Sequence, residues 1–311
     1  MSRSDVQRQQ SEIDEEIRGK TTGHLILANA ERYPDEPAMS FKDGKSWRRI
    51  TWREVREEVA ELAMGLRSLG VNKGDYVALM SVNKPEHVLA DQGAVHAGAT
   101  GTTFYSTFAP EQIEYVANNC GCKVAILGDR SFLERWLPVR DKIDKLETIV
   151  MMEDADEFAD DDGIISFAEL VRRGKEALEG DGREQFEATW KEVEPDDPAT
   201  LIYTSGTTGP PKGVVLTHRN CLYESAAINR LVDVPDLYSS VSYLPLAHIA
   251  ERILSVYMPL FKAAHVWYCP DPKQALEYLN EAKPSTFFGV PRVWEKMRSA
   301  LTAKVQAAES P

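Results

Sequence analysis

Between residues 76 and 152 the chain alternates short apolar runs with helical segments, and few folds accept that order. Residues 76–81, 102–105, 124–127 and 148–152 read as strands. Residues 86–99, 110–119 and 132–143 read as the helices between them. Strands separated by helices this long are joined by crossovers, so they lie parallel and need cover on both faces. The same rhythm resumes after residue 198, with strands expected at 199–204, 239–244, 265–269 and 286–290. Helices are expected at 217–231, 249–261, 274–282 and 292–308. The expected fold class is α/β, with doubly wound parallel sheets.

The stretch between the two runs breaks the pattern. It holds an acidic loop (153–162), a helix (166–178) and a polar segment ending in Pro195-Asp196-Asp197-Pro198. This reads as a connection between subdomains, and the expected division is 1–185 and 186–311. A length of 311 residues is also what about two domains need. Ahead of the alternation, residues 3–18 read as a charged helix or arm. Residues 38–41 and 47–50 form a hairpin about Asp43-Gly44. Thr51-Trp52-Arg53-Glu54 is a capping box opening an amphipathic helix that ends at Gly70.

Charge and cysteine usage exclude several functions. With 36 Lys+Arg against 49 Asp+Glu the net charge is −13, and no basic run offers itself to nucleic acid. No apolar run approaches the roughly 20 residues that span a bilayer, and the start carries no apolar leader. Peripheral contact with a membrane surface stays open. Four cysteines in a chain this long do not make a disulfide framework. A reducing, cytoplasmic protein is expected.

One segment carries chemistry. Residues 201–203 form a buried strand that runs into Thr204-Ser205-Gly206-Thr207-Thr208-Gly209-Pro210-Pro211-Lys212-Gly213. Glycines let the backbone turn tightly and approach a ligand, and the freed N–H groups make a concavity for anions. Hydroxyls add donors and Lys212 adds a cation, a set that suits a polyphosphate. It is not a Walker A loop, because Pro211 precedes Lys212 and Gly213 follows it. Nor is it a hydrolase elbow, since Tyr203 and Thr207 stand where glycines belong. On composition alone, an empty Gly/Thr-rich surface loop is an equal reading.

The run from Tyr203 to Gly213 resembles the signature loop of the adenylate-forming superfamily, which includes acyl-CoA synthetases, aryl-CoA ligases, luciferases and peptide-synthetase adenylation domains. Tyr243-Leu244-Pro245-Leu246-Ala247-His248-Ile249-Ala250-Glu251-Arg252 resembles the second motif of that superfamily in its long-chain fatty acyl-CoA synthetase form. Gly289-Val290-Pro291-Arg292-Val293-Trp294-Glu295-Lys296 is similar to another segment of that subgroup, and so is the opening from Tyr33 to Trp52. The resemblance implies a fold that is the first part of the large N-terminal domain of such an enzyme. Segments that hold adenine, ribose and magnesium, and a catalytic lysine, follow later in the family's order, so the chain is expected to be about the first half.

The activity implied is a ligase forming a carbon–sulfur bond: ATP-dependent activation of a long-chain fatty acid to acyl-adenylate, then to acyl-CoA. ATP, Mg2+ and coenzyme A would be required. Thr204, Ser205, Gly206, Thr207, Thr208, Gly209 and Lys212 would hold the phosphates, with Lys212 neutralising the leaving pyrophosphate. His248 would border the acyl and adenylate sites; without the motif it reads as a cap on the following helix. No residue is assigned to the metal. Arg252 occupies the place of a gating aromatic in some relatives, and Glu251 and Arg252 read equally as an exposed ion pair. Other acids, a nucleotide- or acyl-binding module without turnover, and a fragment that self-associates through an open sheet edge are the competing readings. Residues 158–169 match a calcium loop at several positions, but Phe158 stands where the first ligand belongs, so an acidic solvated loop is preferred. Cys120 and Cys122 lack a second pair at zinc spacing.

Overall fold

A computed structural model describes residues 3–158, 161, 163–204 and 210–309. Among the described residues, eleven strands form two sheets. In chain order they are β1 (Pro37–Asp43), β2 (Ser46–Thr51), β3 (Tyr76–Met80), β4 (Thr100–Thr103), β5 (Cys122–Leu127) and β6 (Thr148–Met151). They continue with β7 (Ile164–Ser166), β8 (Pro198–Thr204), β9 (Lys212–Thr217), β10 (Ser239–Ser242) and β11 (His265–Tyr268). The larger sheet runs β7-β6-β5-β3-β4-β8-β9 and is parallel from β7 through β8; β9 pairs antiparallel with β8 at the edge. The smaller sheet runs β10-β11-β1-β2, with β11 parallel to both β10 and β1.

Period-two alternation sorts the larger sheet's side chains into two cores. Val77, Leu79, Val124, Ile126 and Val150 face the helices Trp52–Ser68, Pro85–His96 and Phe167–Ala177. Ala78, Met80, Ala125, Leu127, Ile149 and Met151 face the helices Pro110–Cys120 and Arg130–Trp136. Both faces are covered, as a doubly wound sheet requires. The first core continues through the helices Thr22–Arg32 and His218–Val232 to Val266 and Tyr268 of the smaller sheet, so one core joins the two sheets. Val241, Trp267 and Cys269 point the other way, against Ala275 and Tyr278.

The α/β expectation holds, with three differences. Residues 286–290 are irregular rather than a strand. The strands β7 and β9 and the helices Thr22–Arg32 and Gly182–Lys191 are additions to the expected elements. The sheets also cut across the expected division at residue 185: β8 and β9 follow it but join the larger sheet, while β1 and β2 precede it but join the smaller.

Candidate active site

Open parallel sheets bind ligands outside the carboxyl ends of their strands, near the point where strand order reverses. Here the order reverses between β3 and β5. The candidate residues lie at that end of the molecule. Thr204 closes β8 and faces Lys212 across the β8–β9 ladder, with Tyr203 opposite Gly213. The described ends of the candidate segment are therefore paired at the edge of the larger sheet. Thr204 and Lys212 are exposed, and among the described residues no carboxylate pairs with Lys212. Tyr203 is buried, and its hydroxyl donates to Asn119 Oδ1 at 2.6 Å, which fixes the end of β8. Ser205, Gly206, Thr207, Thr208 and Gly209 lie outside the described residues, as do Asp160 and Asp162 of the calcium-loop alternative.

His248 stands where β10 has ended and the next helix begins. Its Nδ1 accepts from the Ala250 N–H at 3.2 Å, so it caps that helix, and its side chain is exposed. The loop leading to it is stitched to the other sheet. Asn83, just past β3, donates to Ser242 Oγ at 2.9 Å and to the Leu244 carbonyl at 2.7 Å. The carboxyl ends of β3 and β10 are thus held together.

Next to these groups lies a cavity of about 740 Å³, within the ~300–1,000 Å³ range of ligand sites. Leu216, Ile228, Ile249, Ile253, Leu254 and Phe288 make it apolar. Alternation places Lys212 and Leu216 on one face of β9, and Ile249 and Ala250 of the wall directly follow His248. Lys212 and His248 thus border two of the elements that line the cavity, while the helix His218–Val232 supplies most of the remaining wall. Lys212 and His248 make no hydrogen bond or ion pair with each other among the described residues.

Glu251 and Arg252 are not the exposed ion pair that the sequence suggests. They are 2% and 0% exposed, and their partners are different residues. Arg252 pairs with Asp91 at 2.7 Å. Glu251 Oε1 accepts from Ser242 Oγ and Ser255 Oγ, each at 2.7 Å. Burial pushes the Glu251 carboxyl up to about 7 against those hydrogen bonds. Burial alone would lower the Arg252 guanidinium, but the Asp91 carboxylate outweighs it and the group is held above its ordinary value. Asp91 and Thr103 carry no local motif, and their partner Arg252 lies 161 and 149 residues further along the chain. Cys120, Cys122, Cys221 and Cys269 are buried thiols without disulfides.

The model of the AMP-binding enzyme family matches residues 26–310. The chain belongs to that family. Among curated proteins, this AMP-binding chain is similar to a long-chain-fatty-acid–CoA ligase (ACSBG2) of Xenopus laevis, 32% identical over 91% of the chain and 39% of the relative. The Gallus gallus protein of the same name is 30% identical over 93% of the chain and 39% of its own length. The chain thus spans about two fifths of the relatives it matches. In fold it is similar to a long-chain-fatty-acid-CoA ligase (FadD1) of Archaeoglobus fulgidus, with TM-score 0.73 at 19% identity over 91% of this chain and 54% of that one. The N-terminal domain of FACL13 from Mycobacterium tuberculosis gives 0.72 at 22% identity, over 90% and 65%. No helix among the described residues is long and apolar enough to cross a membrane.

Proposed function

We propose that this chain supplies the phosphate loop and acyl site of a long-chain fatty acid–CoA ligase. The apolar cavity of about 740 Å³ bounded by the helix His218–Val232, the far end of the Lys212 strand and the turn after His248 is the observation that carries this reading. An acyl chain is uniform hydrocarbon, and an apolar wall with few polar groups suits it. Its carboxylate then lies toward the polar ends of those elements.

In the first step a carboxylate oxygen attacks the α-phosphorus of ATP. The bond to the bridging oxygen breaks, and pyrophosphate leaves. The carboxylate is already ionised near neutral pH, so no strong base is needed. The work is positioning and charge neutralisation. Thr204 and the loop of Ser205, Gly206, Thr207, Thr208 and Gly209 grip the β- and γ-phosphates, and Lys212 offsets their charge. His248 borders the reacting carboxyl. In the second step the coenzyme A sulfur attacks the acyl carbon, AMP leaves, and the thiol proton passes to solvent. Among the described residues no group of three or more His, Cys, Asp or Glu side chains could hold a metal ion, so Mg2+ is assigned no protein ligand here. The buried, unpaired thiols suit a reducing compartment, and we take the location as cytoplasmic.

The test is fatty-acid-dependent ATP–pyrophosphate exchange with acids from acetate to oleate, with direct binding of each acid read alongside. Long acids are expected to bind well ahead of acetate. Lys212→Ala is expected to lower exchange by about 10²–10³-fold, the scale of a lost electrostatic contact, with acid binding unchanged. Equal binding of acetate and oleate sinks the long-chain reading. Unchanged exchange removes Lys212 from the phosphate site.

A further inference from the structure

Two adjacent charged residues on the turn after His248 are tied to different sheets. Arg252 Nη2 donates to Asp91 Oδ2 at 2.7 Å and to the Tyr257 hydroxyl at 3.1 Å. Its Nη1 donates to Thr103 Oγ1, at the end of β4, at 2.9 Å. Thr103 Oγ1 lies 3.1 Å from His87 Nε2, His87 Nδ1 lies 2.8 Å from Ser81 Oγ, and Ser81 donates to the Val82 carbonyl at 2.8 Å. One set of proton positions satisfies the whole series. Thr103 donates to a neutral His87, whose Nδ1–H donates to Ser81. A neutral ring is what burial enforces, because the His87 pKa falls to about 3, with Arg252 and Lys84 adding to the effect. Arg252 is thereby linked to the segment just beyond β3.

Glu251 is linked to the smaller sheet. Besides Ser242 and Ser255, its Oε1 accepts from the Tyr243 N–H at 3.2 Å. Asn83 donates to the same Ser242 hydroxyl, so the Glu251 links and the Arg252 links meet the ends of β10 and β3. A buried ion pair adds little stability over well-packed apolar side chains. What these two residues add is direction, since each bond holds only one placement of the turn.

We propose that Arg252 and Glu251 are positioning residues that clamp the turn after His248 between the two sheets, fixing His248 and the Ile249–Ala250 wall of the cavity. The role of that cavity rests on the fatty-acid reading; the clamp itself does not.

The test uses the 311-residue chain. The double variant Asp91→Leu/Arg252→Met removes both charges, so neither is left unpaired. Arg252→Lys keeps a cation beside Asp91 but loses the fork to Thr103 and Tyr257. Melting reports folding. The 15N spectrum of His248 reports whether Nδ1 still accepts a hydrogen bond, and exchange of the Ala250 amide reports its partner. The double variant is expected to melt cooperatively, to lose the acceptor signature at His248, and to exchange the Ala250 amide about tenfold faster, as local opening allows. Arg252→Lys is expected to give about a threefold change in exchange by the same route. A cooperatively melting variant of either kind with wild-type His248 and Ala250 signals overturns the proposal. If the double variant does not fold, Arg252→Lys decides alone. Palmitate binding is measured in parallel. A wild-type chain that binds no palmitate removes the fatty-acid reading, while the His248 and Ala250 signals still decide the clamp.

Discussion

Asp91 can reach Arg252 only because residue 101 has no side chain. A Cβ at Gly101 would collide with Asp91 Oδ1 and come within 3.1 Å of its Cγ. Overpacking a core costs ~1–3 kcal/mol, and breaking a buried ion pair costs ~3–5 kcal/mol. Gly101→Ala is therefore expected to destabilise the chain by about 3 kcal/mol, read from its urea midpoint. A midpoint within error of wild type would show that Asp91 moves aside freely and that the pair is not held in place. The sequence carried little of this. Arg252 reads as a surface residue because charged side chains are seldom fully buried unless paired. Its partner lies 161 residues earlier, with nothing local to announce it. His248 was more open to reading, since a cap needs only its own next two residues.

Elements announced by local chemistry appeared where expected. The capping box at Thr51 forms: its Oγ1 accepts from the Glu54 N–H at 3.3 Å, and Glu54 Oε2 accepts from the Thr51 N–H at 2.7 Å. Thr51→Ala is expected to cost about 1 kcal/mol, seen as a lowered urea midpoint with unchanged slope. A loss below the error of measurement would mean that packing of the Trp52–Ser68 helix alone sets its start. Elements set by context were harder to see. The run 213–216 has a strand's composition, but it follows directly on the glycine-rich loop and reads as its continuation. The helix expected over 249–261 is interrupted by a π segment, Ile253–Tyr257. Pro259 is a readable cause. It has no N–H for the Ser255 carbonyl four residues back, and that carbonyl instead accepts from the Tyr268 hydroxyl at 3.5 Å.

At the scale of the whole molecule, buried histidines set the response to acid. Burial lowers His87 and His96 to about 3 and His218 and His265 to about 4. The unfolded chain protonates them near pH 6.5, so it binds protons first and stability falls as pH drops below that value. Glu58 and Glu251 act in the opposite sense. Burial raises each to about 7, so acidification from pH 7 to about 4.5 favours the folded state through them. Four histidines against two glutamates leave a net loss down to about pH 4.5. Below it the glutamates are protonated in both states, and each histidine whose ring is still neutral in the folded state removes up to ~1.4 kcal/mol per pH unit. Urea midpoints against pH should bend sharply downward there. A flat profile between pH 5 and 3.5 would mean that these rings reach solvent.

The parallel pairing of β1 with β11 also bears on how the molecule is made. Ser40 and His265 touch across this pairing, 225 residues apart in sequence. At ~5–20 residues per second a ribosome needs on the order of ten to forty seconds to cover that interval. Through that time the β1–β2 hairpin is out of the exit tunnel without the neighbour that completes its sheet. Its inner edge, which pairs with β11 near residues 39 and 40 in the finished fold, is then open to any passing strand. Chaperone dependence during synthesis should therefore centre on the first fifty residues, although the last strand of the sheet is what ends it.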